Sequence, residues 1–159
     1  MWEPDTARLV DVSAAHCSTN AVGLVINDLD HIMGKDYYCP DTYWLIGENG
    51  SRVQIPPLPG YPHMGAGILN NLDQVVATAW DGVHSVHYVW SRESGSEVID
   101  PAQYAQGVYP YDMNDNGWMT GLAYGDGDQC VTYVWSPENG YQDLCYVPGM
   151  DGDPIGVSG

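Results

Sequence analysis

The 159-residue chain has very little positive charge. It has 4 Lys and Arg residues against 21 Asp and Glu residues, a formal net charge of −17, and Lys35 is its only lysine. A surface of this sign repels nucleic-acid backbones and anionic lipid headgroups. The composition therefore argues against a nucleic-acid-binding protein, and it suits weak cation binding.

Long apolar segments are also missing. No run approaches the roughly 18–20 residues that a helix needs to span a bilayer. The first five residues, Met1–Asp5, do not open a basic patch followed by an apolar stretch, so no signal peptide is visible. No apolar pattern of helical period persists for ten residues. We expect no membrane insertion and no helix of consequence.

The sequence lacks the common catalytic motifs. It has no Gly-x-Ser-x-Gly elbow, no phosphate-binding loop and no His-Glu-x-x-His pair. Its three arginines, Arg8, Arg52 and Arg92, are too few for a sialidase-type site. His84 and His87 differ by three positions and would point to opposite faces of a strand, which makes a poor metal pair. We expect no catalytic residue and a protein that is not an enzyme.

What the chain does have is a repeat. A short aromatic passage followed by a Gly turn recurs about every 45 residues, around Trp44, Trp90 and Trp135, and Trp2 looks like the tail of one more copy. A second landmark keeps the same period, because Asn27, Asn70 and Asn114 each follow an apolar segment and open a turn. Two landmarks with one period indicate a repeat architecture.

Each unit is predicted to be a four-stranded antiparallel sheet. The middle unit is clearest, with short β-rich segments at Gly65–Leu69, Gln74–Trp80, Ser85–Trp90 and Ser96–Asp100 separated by turn residues. Four strands per 45 residues is typical of propeller blades, which pack on their neighbours. We therefore predict an all-β, β-propeller-like fold. An open β-solenoid is the second choice, because solenoid turns are usually shorter than this period.

The period divides the chain into one repeat domain, residues 1–159. A partial unit covers 1–20, unit 1 covers 21–63, unit 2 covers 64–106, unit 3 covers 107–151, and 152–159 starts a further unit. The two partial ends predict either missing repeats of a longer chain or self-association into a ring or head-to-tail filament by strand addition. The predicted assembly edges are Trp2, Leu9, Val10, Val12, Ile155 and Val157.

Four cysteines suggest disulfide bonds. If Trp135 pairs with Gly140 across a hairpin, then Cys130 lies opposite Cys145, and a cross-strand disulfide follows in an oxidising compartment. Cys17 with Cys39 follows only by elimination. The alternative for Cys130 and Cys145 is a pair of buried free thiols.

One segment resembles the start of a calcium loop. Asp112, Asn114 and Asn116 place oxygen ligands at alternate positions before Gly117, as an EF-hand loop does. Ala123 stands where the bidentate Glu should be. A weak Ca²⁺ site is therefore one interpretation, and a plain β-turn built from turn-forming residues is the other. No other cofactor is expected.

Aromatic residues are abundant and of a particular kind. The chain has 6 Trp and 12 Tyr but 0 Phe. Trp and Tyr combine a flat apolar face with a polar tip, which suits stacking on sugar rings. The repeated tryptophans are expected in the packing between units. The candidates for a glycan-binding face are Trp80, Trp118, Tyr109, Tyr111 and Tyr124.

The landmarks resemble the HAF repeat, a family of extracellular repeats. Ile26-Asn27 and the segment from Met113-Asn114 to Gly121 match its Asn-Gly turn and following strand, and Tyr88-Val89-Trp90 and Tyr133-Val134-Trp135 match its aromatic strand. Tyr replaces the family's Phe, and Asp30 and Asp73 replace the turn Gly in the first two units. The resemblance implies an extracellular or cell-surface, propeller-like repeat protein and no reaction.

These observations favour a non-catalytic extracellular repeat protein with a structural or binding role in adhesion, sheath or fibre formation. Self-association through incomplete terminal units would serve such a role. The alternative is a carbohydrate-binding or carbohydrate-hydrolysing propeller. Hydrolysis would require two carboxylates about 5–10 Å apart in a pocket.

Overall fold

A computed structural model describes residues 21–36, 39, 41–99, 108–124 and 130–144. Within these ranges the chain forms twelve β-strands and no helix. Accordingly, this part of the chain contains no helix with the length and hydropathy needed to cross a membrane.

The strands form three sheets of four, each built from consecutive strands. Sheet 1 contains β1 (Ala21–Ile26), β2 (Ile32–Asp36), β3 (Tyr43–Ile46) and β4 (Arg52–Ile55); sheet 2 contains β5 (His63–Leu69), β6 (Val75–Trp80), β7 (Ser85–Ser91) and β8 (Gly95–Ile99); sheet 3 contains β9 (Val108–Met113), β10 (Met119–Tyr124), β11 (Cys130–Ser136) and β12 (Gly140–Leu144).

Every neighbouring pair within a sheet is antiparallel. The first strands of successive sheets lie side by side, β1 with β5 and β5 with β9. The predicted all-β architecture of repeated four-stranded units is therefore confirmed. The finer prediction, a propeller-like arrangement, stays a prediction.

The pairing registers correct the alignment of the first unit. Trp90 lies opposite Val75 and Trp135 lies opposite Met119, the fifth residue after the unit's asparagine in each case. The residue at that position in sheet 1 is Ile46, opposite Ile32. Trp44 is two residues earlier and takes the position of Tyr88 and Tyr133. The aromatic passage with its tryptophan therefore recurs in the sequence of all three units. The tryptophan occupies the same position of the sheet only in units 2 and 3.

The register of the last hairpin also differs from the prediction. Trp135 pairs with Tyr141, and Gly140 pairs with Ser136. Three residues form the loop, and Gly140 follows it with a φ of 64°, as expected for a three-residue hairpin that ends in a left-handed residue. The pairing of Trp135 with Gly140 is therefore wrong, and it no longer supports a Cys130–Cys145 bond.

The sheets bury their faces against each other. Between sheets 1 and 2, one apolar cluster joins Met33 and Leu45 of sheet 1 to Leu69, Val75 and Trp90 of sheet 2. Between sheets 2 and 3, a second cluster contains Val76, Ile99, Met113 and Met119. Sheet 2 is consequently covered on both faces, because alternate residues of its strands point to opposite sides.

The first strand of every unit carries a β-bulge at the same place. The pairing skips one residue between Gly23 and Val25, between Ala66 and Ile68, and beside Gly121 in sheet 3. The extra residues are Leu24, Gly67 and Tyr111, and all three are exposed. Bulges re-aim side chains and often mark the borders of functional sites. These three residues therefore lie at the surface, along the row of first strands.

Candidate functional site

The asparagine landmark builds the turn between the first and second strands of each unit. In unit 2 the side-chain oxygen of Asn70 accepts hydrogen bonds from the backbone N–H groups of Leu72 (3.0 Å) and Gln74 (2.9 Å). Asn27 and Asn114 make the same pair of bonds in units 1 and 3. Asn is suited to this role because its short side chain reaches backbone groups two to four residues ahead.

The same asparagines connect one unit to the next. The side-chain Nδ2 of Asn27 donates to the carbonyl of Asn70 at 3.0 Å, and Nδ2 of Asn70 donates to the carbonyl of Asn114 at 3.1 Å. Asn27 and Asn70 are buried. Each amide therefore fixes its own turn with the oxygen and the next turn with the nitrogen. We call this chain of contacts the asparagine ladder.

A second rung lies beside the ladder. The backbone N–H of Asp28 donates to Asn71 Oδ1, and the backbone N–H of Asn71 donates to Asp115 Oδ1, each at 2.8 Å. Asn71 Nδ2 then donates to both Asp28 (3.0 Å) and Asp115 (3.1 Å). The neutral amide thus separates two carboxylates that would repel each other if they were adjacent.

The joint between sheets 1 and 2 has an additional contact between a histidine and a carboxylate. His31 Nδ1 lies 2.8 Å from Asp73, whose Oδ1 also accepts a 3.0 Å bond from Asn27. Asp73 has a φ of 59° and Gly117 one of 76° at the same position of the repeat. Asp tolerates this left-handed conformation better than most residues. Asp73, which takes the place of the turn Gly, has side-chain partners in the neighbouring unit. Gly117 has no side chain and cannot make these contacts.

The outward face of sheet 1 is incompletely covered. Ile26 occupies the position of Leu69 and Met113, directly before the asparagine in each unit. Leu69 and Met113 are 8% and 4% exposed because the preceding sheet covers them, whereas Ile26 is 60% exposed. Ile46, further along the same face, is buried. The uncovered area therefore lies at β1, the first strand of the sheet, beside the asparagine ladder.

The outward face of sheet 3 shows the matching difference. Leu144 lies opposite Thr132, as Ile55 lies opposite Tyr43 and Ile99 opposite His87. Ile55 and Ile99 are 0% and 1% exposed, and Leu144 is 38% exposed. Thr120 replaces the fully buried Met33 and Val76 at its position and is only partly buried. Sheet 3 thus has a stacking face with no sheet against it among the described residues.

A cleft of about 400 Å³ runs along β5. Its floor is Gly65, Ala66, Gly67 and Ile68, and its walls come from sheets 1, 2 and 3: Tyr43, Val76, Thr78, His87, Tyr109, Pro110 and Tyr111. The volume lies within the range of small-molecule sites, about 300–1,000 Å³.

A polar pair lies in the wall of the cleft. His87 is buried, and its Nδ1 lies 2.9 Å from the hydroxyl oxygen of Thr78. Burial lowers the pKa of His87, and a hydrogen bond with the backbone of Val108 opposes this shift. A neutral imidazole then accepts the Thr78 hydroxyl hydrogen at Nδ1, which leaves the lone pairs of the Thr78 oxygen available to another donor.

The predicted stacking residues separate into two groups. Tyr109 and Tyr111 line the cleft and are exposed. Trp80 instead stacks on His63, with ring centroids 5.4 Å apart. Tyr124 makes an edge contact with Tyr109 at 5.6 Å, outside the cleft lining. Trp118 is exposed but is not part of the cleft.

Two of the three predicted calcium ligands, Asp112 and Asn114, accept hydrogen bonds from backbone N–H groups of the chain. Asn114 Oδ1 accepts from two backbone N–H groups, and Asp112 Oδ1 accepts from the N–H of Met113 at 2.9 Å. These bonds favour the plain-turn interpretation, and calcium binding stays a prediction. Among the described residues, no group of three or more His, Cys, Asp and Glu side chains could hold a metal ion.

Several predicted residues lie outside the described part of the chain. They include Cys17, Cys145 and the side chain of Cys130, so both disulfide pairings stay predictions, although Cys39 is not without a partner. The predicted assembly edges also lie there: Trp2, Leu9, Val10, Val12, Ile155 and Val157.

Sequence reasoning treated the asparagines only as turn formers and did not anticipate the ladder. The signal was present, because Asn recurs at one position of all three units, whereas a turn alone would accept Asp or Ser. Comparison with known proteins adds no relative, since no family model, curated protein or solved structure matches the chain.

Proposed function

We propose that this chain is a non-catalytic structural repeat protein that associates through the outward faces of its terminal sheets. The observation that carries the proposal is the exposure of Ile26, 60% against 8% and 4% at the equivalent Leu69 and Met113. This position is covered by the preceding sheet in units 2 and 3, and no sheet of the described residues covers it in unit 1.

The partner that fits is a sheet of the same kind. Within the chain, the face containing Leu69 packs on Met33 and Leu45, and the face containing Met113 packs on Val76 and Ile99. The equivalents of these receiving residues on sheet 3 include Thr120 and Leu144. A second copy would place its sheet 3 against Ile26, which gives a head-to-tail contact that closes a ring or extends a filament. Further repeats of a longer chain would fit the same face.

The asparagine ladder supports the same direction of stacking. Among the described residues, Asn114 Nδ2 has no acceptor, and the carbonyl of Asn27 accepts only from the N–H of Asp30. The equivalent Asn70 has both its donor and its carbonyl engaged. One end of the ladder therefore offers a donor and the other an acceptor, as head-to-tail stacking requires.

Charge opposes this association. In-register stacking would bring Asp115 of one copy to Asp28 of the next, without the amide that Asn71 provides inside the chain, and each copy carries a net charge of −17. Salt screens such repulsion, with a Debye length of about 10 Å at 0.1 M and about 3 Å at 1 M. Association should therefore strengthen with salt.

A propeller-like arrangement, membership of the HAF-type repeats and a place at the cell exterior belong to this proposal. The side-by-side first strands and the repeat period support the arrangement. A role in adhesion or fibre formation is consistent with a repeat that stacks on itself.

Sedimentation velocity tests the proposal with two variants of equal charge change. Ile26→Glu puts a carboxylate in the contact, and Val83→Glu puts one on an exposed turn away from the sheet faces. Wild type and Val83→Glu should form concentration-dependent species larger than 17.4 kDa, and Ile26→Glu should sediment as a monomer. Equal behaviour of the two variants would reject the contact.

A further inference from the structure

The cleft exists because one unit lacks a side chain that the other two have. Leu24, Gly67 and Tyr111 are the extra residues of the three equivalent bulges. A Cβ atom built on Gly67 meets no atom within 4 Å, so the space above it is open. The middle unit therefore leaves a notch between two neighbours that carry large side chains at the same position.

The notch has both apolar and polar walls. Tyr109 and Tyr111 are 54% and 56% exposed at its border, so their rings are available to a ligand. The Thr78 oxygen, held by its bond with His87, provides a hydrogen-bond acceptor inside. A ligand that matches has a flat apolar face and hydroxyl groups at its edge.

Charge narrows the class of ligand. None of the residues that line the cleft is Asp, Glu, Lys or Arg, so no lining group would neutralise a charged ligand. The net charge of −17 repels anions in addition. A neutral ligand is therefore favoured over a phosphorylated, sulfated or acidic one.

We propose that the cleft along β5 binds a neutral pyranose unit of a glycan, with Tyr109 or Tyr111 stacked on the sugar ring and Thr78 accepting from a sugar hydroxyl. This function is separate from self-association, because the cleft and the outward faces share no residue among those that carry the two proposals. Since no carboxylate lines the cleft, the proposed activity is binding and not hydrolysis.

The test is a binding screen with neutral oligosaccharides of glucose, galactose, mannose and N-acetylglucosamine, followed by NMR titration with the methyl glycoside of the sugar that binds. Gly67→Leu restores the side chain found in unit 1 and should fill the notch and abolish binding. Tyr111→Ala should weaken binding about three- to tenfold if that ring stacks, and Tyr111→Phe should retain it. Thr78→Val should weaken binding while keeping the shape.

Two controls keep the outcome clear. Circular dichroism and the melting temperature should be unchanged in Gly67→Leu, which separates a filled notch from a misfolded chain. Ile26→Glu should bind the sugar as wild type does, so a failure of self-association leaves this proposal standing. The proposal is overturned if no neutral glycan binds, if only anionic glycans bind, or if Gly67→Leu binds as well as wild type.

Discussion

The joint between sheets 2 and 3 and the outward face of sheet 1 present the same position of the repeat in two environments. Met113 at the joint is 4% exposed, and Ile26 on the outward face is 60% exposed, although both directly precede the unit's asparagine. Sheet 3 repeats the contrast on its other side, where Leu144 is more exposed than Ile55 and Ile99. The strand pattern is the same in each place, and at these positions the apolar residue is buried where a neighbouring sheet packs on it and exposed where none of the described sheets does.

The same contrast applies to the polar contacts. At the joints, Asn27 and Asn70 each donate to the next unit, and at the end of sheet 3 the equivalent Asn114 donates to none of the described residues. Apolar stacking and the asparagine ladder thus stop at the same places. This coincidence indicates that a unit is completed by its neighbour, as expected for repeat proteins.

The largest effect should come from removing an apolar side chain inside a joint. Ile99→Ala leaves a cavity between sheets 2 and 3 and should lower the free energy of unfolding by about 2–5 kcal/mol. Leu144→Ala, at the equivalent uncovered position, should cost about 1 kcal/mol or less in dilute monomer. Urea unfolding of both variants measures the difference. Equal losses would mean that the outward face of sheet 3 is covered in solution.

A backbone approach in sheet 3 should give the next largest effect. A Cβ atom on Gly121 would lie 2.9 Å from Cα of Pro110 and would meet the carbonyl of Tyr109 beside the bulge. Gly121→Ala should therefore destabilise the fold by about 1–3 kcal/mol. Gly67→Ala, in the open notch of sheet 2, is the matched control and should change little. Thermal unfolding compares the two, and a harmless Gly121→Ala would contradict the tight pairing of β9 with β10.

The polar part of a joint is tested by Asn70→Asp. The carboxylate keeps the acceptor for the backbone N–H groups of Leu72 and Gln74 and removes the donor to the Asn114 carbonyl and to the Gln74 side chain. The backbone bonds of the turn are therefore retained, and the link to the next unit is lost. We expect a loss of about 1–2 kcal/mol, measured by urea unfolding. Asn114→Asp is the matched control, because it makes the same substitution at the equivalent position of unit 3. There, the described part of the chain offers the amide nitrogen no acceptor. It should cost less, and the reverse order would argue against the ladder.

A smaller, pH-dependent effect is expected from His87 in the wall of the cleft. Because burial lowers its folded pKa, the unfolded chain binds a proton first, near its ordinary pKa of about 6.5. This contribution to stability is present above that pH and is lost as the pH falls through 6.5 toward the lowered value. Wild type should lose more stability between pH 7.5 and 5.5 than His87→Gln. Identical pH profiles for wild type and His87→Gln would contradict a buried neutral imidazole.

Much of the fold could be predicted because local signals agree with it. Turn residues at hairpin spacing and β-rich segments between them predict four strands per unit, and the predicted segment Ser85–Trp90 differs from β7 by one residue. The pairing registers between strands are harder to predict from the sequence. The hairpin after β11 was misjudged by one residue because the sequence alone does not show that Gly140 takes a left-handed conformation after a three-residue loop.

The candidate site was less accessible to sequence reasoning. The residue types of Tyr109 and Tyr111 indicate possible stacking residues. The cleft itself depends on Gly67, which has no side chain at the position where the neighbouring units have Leu24 and Tyr111. Trp44 was aligned with Trp90 because both are Trp, although Ile46 occupies the equivalent position. Cross-strand partners determine such equivalences, and one sequence does not specify them.

The most direct test of the central claim is to mix the variants Ile26→Glu and Leu144→Glu. The mixture is separated by size exclusion, and its mass is measured by light scattering. The buffer contains about 0.5–1 M salt, which screens the repulsion between copies strongly. Each variant retains one of the two faces, so each alone should have the chain mass of 17.4 kDa. An equimolar mixture should give a species of twice that mass and nothing larger, because the two intact faces meet once and the two altered faces end the assembly. A mixture that stays at 17.4 kDa, together with wild type that is monomeric at every concentration, would contradict association through the terminal sheets.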